Sequence, residues 1–239
     1  MASAFLRLLL ISLLSIILGV LAVFSVRWLG SKQVFAPPPH PWYKRDFWWV
    51  FVPPLEEICA QGGKLDARPS WVLSIPVAPY AEGWAIPCGE KPLPIAEVLA
   101  ASSHEDWLIR LQAKDKEGLD RFLNDVGAFD ARKKFAVYTS SQRAARFLRK
   151  KAPQWLFAAD TASLLRFQIF SNLWIETAMD FWPDFVIVPQ TGFPALTARE
   201  VEELKRRHKR IIWNAIEDTS AARPAYIDGV MTSRPGEVN

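Results

Sequence analysis

The hydrophobic pattern divides the chain into one long apolar run and a series of short ones. From Leu8 to Val26 no residue is charged, and nearly every side chain is Leu, Ile, Val, Ala or Phe. A helix of that length spans a bilayer core. After residue 46 the pattern changes to short β-branched and aromatic runs between polar and turn-forming residues. Eight of these runs read as strands: 48–52, 71–77, 107–111, 134–138, 155–158, 185–188, 211–216 and 226–231.

Helical patterns fall between them. Leu55–Ala60 reads as a short helix closed by Gly62 and Gly63, and Ile95–Ala101 as another. Leu119, Phe122, Leu123 and Val126 form the stripe of an amphipathic helix. Ser140 or Ser141 can cap a helix with Ala144, Phe147 and Leu148 inward, and Asp160 can cap the next. Thr197 and Glu200 form a capping box before Val201 and Leu204. Pro79–Pro94, rich in Pro and Gly, reads as an irregular loop. Strand–helix alternation implies a parallel sheet with right-handed crossovers. A small (β/α)8 TIM-like barrel satisfies that pattern, and so does an open doubly wound sheet.

The expected organisation is an anchor over 5–29, a Pro-rich linker over 30–45 and a barrel over 46–239. Arg7 precedes the apolar run, Arg27 and Lys32 follow it, and Trp28 sits where an interfacial aromatic would. A cleaved signal peptide is the rival reading. Its apolar region is shorter and ends in a small-x-small site, whereas this run ends Val-Phe-Ser-Val-Arg. An uncleaved anchor is favoured. The basic residues on its two sides nearly balance, so charge leaves the orientation open. The expectation is a single-pass protein of the bacterial inner membrane with an extracytoplasmic barrel. The prolines of 36–41 predict a stiff linker that holds the domain off the membrane, with His40 in solvent.

Composition adds little. The 239 residues carry a net charge of +4, and no Lys/Arg run is interleaved with exposed aromatics, which argues against nucleic acid. The basic clusters 146–151 and 205–210 fall at helix ends, where cations favour the dipole. His208 lies in the second cluster and reads as one more helix-end cation. Cys59 and Cys88 lack metal-ligand spacing; they pair in an oxidising compartment or stay as buried thiols. His104, Glu105 and Asp106 read as a solvated turn or cap.

The C-terminal stretch carries a resemblance. Trp213-Asn214-Ala215-Ile216-Glu217-Asp218 and Ile227-Asp228-Gly229-Val230-Met231-Thr232-Ser233-Arg234-Pro235 resemble the last two strand motifs of glycerophosphodiester phosphodiesterases. Pro92–Leu99 resembles that family's Ile-Pro-Thr-Leu-Glu-Glu-Val-Leu segment. Tyr138-Thr139-Ser140-Ser141, with Ala152-Pro153 after the helix, resembles its Ser-Ser-Phe strand end and Ala-Pro. The resemblance spans Trp48 to Pro235 and implies the barrel rather than the open sheet. It also implies hydrolysis of a glycerophosphodiester, with Ca²⁺ or Mg²⁺ among carboxylates, two catalytic histidines and an arginine on the phosphate.

The residues that would do this chemistry are missing from their expected places. The first strand ends Phe51-Val52-Pro53 where the family has His-Arg-Gly, and the second carries Ser74-Ile75-Pro76 in place of Glu-Leu-Asp. Pro79–Lys91 replaces a hairpin bearing the second histidine. Ile109-Arg110-Leu111-Gln112 puts Arg at a metal-ligand Glu and Gln at a Lys. A guanidinium there repels a divalent cation but suits a phosphate or carboxylate; the bland alternative is an internal strut, with Arg110 paired to Glu217 or another acid.

Three functions follow. The first is an anchored, catalytically inactive relative that binds a phosphorylated headgroup, glycerophosphate or a protein. Its candidate ligand-binding residues are Arg110, Gln112, Ser140, Trp213, Asn214 and Glu217, with Ser140 and Trp213 on the wall of an open cavity. It needs no cofactor. The second is an active enzyme with a rearranged Ca²⁺ or Mg²⁺ site, for which Asp180, Asp184, Glu217 and Asp228 are the available acids. The third is a structural or assembly protein whose barrel mouth is plugged by Tyr80, Trp84 and the Pro79–Lys91 loop.

Overall fold

The computed structural model describes residues 2–65, 70–80, 83–113, 118–189, 194–216 and 223–234. Glu217 and Asp218 lie outside them. The helices are α1 (Ala2–Ser31), α2 (Leu55–Ala60), α3 (Ile95–Ala101), α4 (Leu119–Gly127), α5 (Gln142–Lys151), α6 (Thr161–Asn172) and α7 (Ala198–Arg206). The strands are β1 (Trp48–Phe51), β2 (Val72–Tyr80), β3 (Gly83–Ile86), β4 (Leu93–Pro94) and β5 (Asp106–Leu111). They continue with β6 (Lys134–Thr139), β7 (Leu156–Phe157), β8 (Phe185–Pro189), β9 (Arg210–Asn214) and β10 (Gly229–Thr232).

Eight strands run parallel in the order β7-β6-β5-β2-β1-β10-β9-β8. A parallel bridge between Ala158 and Phe185 joins the two ends. There the Asp184 N–H donates to Phe157 O and the Ala159 N–H to Phe185 O, both at 2.8 Å. The ring is therefore a nearly closed TIM-like barrel, the alternative that the resemblance implied and that strand–helix alternation alone left open. Every predicted strand is present. So are the capping box at Thr197 and Glu200, the Ser141 cap on α5 and the Asp160 cap on α6.

Alternate residues of each strand point to opposite faces. Trp48, Val50, Val72, Leu108, Ala136, Leu156, Phe185, Ile212 and Met231 fill the interior. The intervening residues, such as Leu73, Trp107, Phe135 and Phe157, meet the helices through Val98, Phe122 and Leu148. Gly229 is required at the β1–β10 seam, because a Cβ there would lie 2.6 Å from the Trp48 carbonyl oxygen. This close approach explains the glycine in the Ile-Asp-Gly-Val motif.

Three regions differ from the sequence reading. Pro79–Pro94 contains the antiparallel pair β3–β4, which extends β2 as a hairpin rather than forming an irregular loop. The Cys59–Cys88 disulfide ties that hairpin to α2. Closing a loop of 29 residues stabilises the fold by about 3.6 kcal/mol, and such bonds persist in oxidising compartments.

The proline-rich segment does not extend freely. It runs under the barrel, with Phe35 beside the guanidinium groups of Arg206 and Arg207. His40 is buried there and caps the 3₁₀ turn Pro41–Lys44, its Nδ1 accepting from the Trp42 N–H. Apolar Phe35 and Trp42 draw the segment in, because each buries more surface against the barrel than solvent allows. His104 and Asp106 are likewise buried while Glu105 between them is exposed, and Lys133 donates to the His104 carbonyl at 2.7 Å.

Burial lowers the His40 imidazole from 6.5 to about 4, with Asp106 opposing the shift. His104 is lowered for the same reason. Both are neutral in the fold but bind protons near 6.5 once unfolded. Unfolding therefore takes up protons below that pH, and stability falls as pH drops from about 6.5 towards 4. His40 alone contributes up to about 3 kcal/mol to this loss. His40→Asn keeps a cap acceptor but does not titrate. Thermal unfolding between pH 7 and 4.5 should show a shallower loss of midpoint for this variant; an unchanged slope would contradict it.

Candidate functional site

Ligand sites in parallel barrels form where the strands end. At that end the interior narrows to a pocket of about 170 Å³. Its polar groups come from four elements: Arg110 from β5, Tyr138 from β6, Asp160 and Thr161 at the start of α6, and Asn214 from β9. Arg110 and Tyr138 are register partners, so the tyrosine stands beside the arginine. Apolar Leu164, Ile187, Ile216 and Met231 complete the wall.

Arg110 dominates the electrostatics. It is largely buried, and its Nε has no hydrogen-bond partner. Among the described residues, no carboxylate lies within 4.0 Å of it. Burial lowers its pKa, with Tyr138 acting weakly the other way; a guanidinium nevertheless stays charged in proteins. The internal-strut alternative therefore has no described partner. Asp160, which shares the pocket, spends one oxygen on the Ser163 N–H at 3.0 Å. Asn214 accepts from the Ile216 N–H at 3.4 Å, and its NH₂ group has no partner among the described residues. An unpaired guanidinium and an amide in a largely apolar frame are donor chemistry of the kind a small oxyanion takes.

The other sequence candidates are placed elsewhere. Trp213 lies on the outer face of β9, packed with Ala215, Val230, Phe47 and Trp49. It is one residue from Asn214, and the two-residue period of a strand turns it away from the mouth. Ser140 and Gln112 are exposed and do not line the pocket. Glu217 is outside the described residues. Tyr138 escaped the sequence reading, although it falls two positions after the inward Ala136, and that spacing was the available signal.

Three of the acids named for a rearranged metal site, Asp180, Asp184 and Asp228, precede strands at the opposite end. Asp184 precedes β8 and pairs with Arg149 at 3.0 Å, while its Oδ2 also accepts from the Phe157 N–H at 2.9 Å. Asp228 precedes β10 and holds Lys205, Arg210 and the Ile211 N–H. Asp180 precedes β8 as well. No group of three His, Cys, Asp or Glu among the described residues could hold a metal ion. At the mouth a divalent cation would meet Arg110 and a single carboxylate already engaged as a helix cap. The described residues there do not fit Ca²⁺ or Mg²⁺, which want several oxygen ligands.

Among the described residues, neither Tyr80 nor Trp84 lines the mouth pocket. Trp84 is buried in the outer layer against Phe122, its indole donating to Gly118 O at 2.8 Å, and Tyr80 is exposed.

No family model matches the sequence, and no curated protein matches it. Among solved structures, the chain is similar to a glycerophosphodiester phosphodiesterase from Agrobacterium tumefaciens strain C58. The identity is 9%, the TM-score 0.47, and the match covers 80% of this chain and 97% of that one. The barrel assignment rests on strand order and ring closure instead.

Arg110→Met tests the pairing of Arg110. A strut loses its partner on mutation and costs several kcal/mol. An unpaired buried guanidinium costs nothing to remove, so the variant should melt at or above the wild-type temperature. A large drop would identify a partner and contradict the open-receptor geometry.

Proposed function

We propose that this protein is a membrane-associated, glycerophosphodiester phosphodiesterase-like barrel that binds a phosphate-bearing ligand at its mouth without hydrolysing it. The unpartnered Nε of Arg110 is the observation that carries this reading. A buried cation without a counterion is costly, and a bound anion removes that cost. The resemblance in the last two strand motifs supports a ligand such as glycerol 3-phosphate or a deacylated phospholipid headgroup. A pocket of about 170 Å³ holds roughly five waters. That is room for a phosphate and a short polyol, not for a lipid with its chains.

Binding follows from chemistry already described. The Arg110 guanidinium pairs with two phosphate oxygens, the Asn214 amide donates to a third, and Tyr138 hydrogen-bonds the polyol. Among the described residues the one carboxylate lining the pocket, Asp160, already caps α6 through one oxygen, and this binding reading calls for no cofactor. α1, long and apolar enough over Leu9–Ser31 to cross a bilayer, supports a membrane location. The disulfide supports an oxidising, extracytoplasmic side for the barrel.

Titration calorimetry of the full chain with glycerol 3-phosphate should give saturable binding in the presence of EDTA. Arg110→Met should weaken it roughly tenfold or more, the cost of a lost charge-assisted hydrogen bond. Unchanged affinity in the variant would overturn the site. Glycerophosphodiester turnover that needs Ca²⁺, Mg²⁺ or Mn²⁺ and stops with EDTA would overturn the non-hydrolytic reading and favour the enzyme.

A further inference from the structure

The barrel base, built from the strand starts, is where α1 joins the domain. A Cβ at Gly30 would lie 2.6 Å from the Thr177 side chain. Arg206 donates to the carbonyls of Ser31 at 3.4 Å and Gln33 at 2.8 Å. The Arg27 guanidinium lies 4.8 Å from the Trp174 ring centroid, and Trp174 and Leu173 next to it are exposed.

Between residues 35–41 and this base is a cavity of about 570 Å³. Its cations come from separate elements: Lys133 and Lys134 at the start of β6, Arg149 in the last turn of α5, Arg207 after α7, and Lys209 before β9. Two acids also line it, and both are engaged. Asp130 accepts from Gln154 and from the Trp155 indole, each at 2.6 Å. Asp184 is held by Arg149 and the Phe157 N–H. Arg207 is bound by Glu203 at 2.6 Å and by the carbonyls of Met179 and Glu176. Lys133 is bound by the carbonyls of Ser102 and His104. Lys209 differs. Among the described residues its ammonium has no hydrogen-bond partner and no carboxylate within 4.0 Å. Burial pulls it down to about 8, and Asp184 offsets only part of that shift.

We propose that this basal cavity binds the phosphate of an anionic phospholipid headgroup, with Lys209 as the direct contact and Arg149 and Lys134 at its sides. The site is separate from the Arg110 pocket and does not rest on the function proposed there. The occupant is a lipid rather than a free phosphate because of what adjoins the cavity. The helix fit to cross a bilayer ends at this face, exposed Trp28, Leu29, Leu173 and Trp174 continue its apolar surface, and the basic run 205–210 lies beside them. Basic residues just outside a membrane span attract anionic lipids. Such a lipid seats the base on the membrane and leaves the mouth facing away.

The full chain in detergent is titrated with a short-chain phosphatidylglycerol, and separately with inorganic phosphate. Wild type should bind the lipid saturably, Lys209→Gln roughly tenfold or more weakly, and Arg110→Met as wild type does. Equal binding by Lys209→Gln, or no saturable binding, overturns the proposal. In Arg110→Met, whose mouth no longer takes a free oxyanion, inorganic phosphate binding as tightly as the lipid overturns the lipid assignment. Loss of binding in Arg110→Met places the lipid at the mouth and overturns the basal site. If Lys209→Gln fails to fold, hydrogen exchange of wild type in nanodiscs decides. Amides of 130–135 and 205–210 should be protected by phosphatidylglycerol over phosphatidylcholine alone, and equal exchange overturns the proposal.

Discussion

Asp106 holds the base of the barrel together. It is the first residue of β5 and is 2% exposed. A carboxylate so buried is costly unless its lone pairs are filled. Here the Trp42 indole donates to Oδ1 at 2.7 Å, Arg45 pairs with Oδ2, and Lys134 lies 3.9 Å away. Trp48 then donates from its indole to the Trp42 carbonyl at 2.8 Å. The segment after α1 is thereby fixed under the barrel, and Trp42 and Trp48 close its floor. Those bonds act with Phe35, which packs against Arg206 and Arg207, to hold residues 35–41 over the basal cavity.

This closure gives the two ends of the barrel opposite characters. In a (β/α)8 ring the helices end at the base, where their dipoles favour cations. Arg149, Lys150 and Lys151 on α5 and Lys205 and Arg206 on α7 occupy those positions. Most of the charges at the base are compensated by Asp106, Asp184, Glu203 and Asp228. Among the described residues the mouth pocket holds one guanidinium, Arg110, and one carboxylate, Asp160, already engaged as the α6 cap. The strength of the guanidinium comes from isolation: in an apolar frame an unpaired charge has more to gain from a ligand than one among many.

The eight strands were legible because their β-branched and aromatic runs are short and punctuated, and the caps because their side-chain chemistry is local. The hairpin β3–β4 was hidden by prolines 79, 87, 92 and 94, which look like loop residues when the edge pairing of β2 is unseen. The docking of Phe35, His40 and Trp42 was hidden because their partners lie far away in sequence; Asp106 is 64 residues from Trp42. At the site, Arg110 and Asn214 share a pocket, and strand parity decides the rest. Trp213 is one residue out of phase and faces outward against Phe47 and Trp49, while Tyr138 is in phase and joins the mouth. Sequence motifs gave the right strands but not which face each side chain takes.

The central claim is that the mouth is an anion receptor organised by Arg110. Crystals of the protein soaked separately in selenate and in Mn²⁺, with anomalous data at each absorption edge, test it directly. A selenate peak within hydrogen-bond distance of the Arg110 guanidinium and the Asn214 amide, with no manganese there, is the expected result. A manganese peak at the strand ends, or a mouth that takes neither ion, would contradict it.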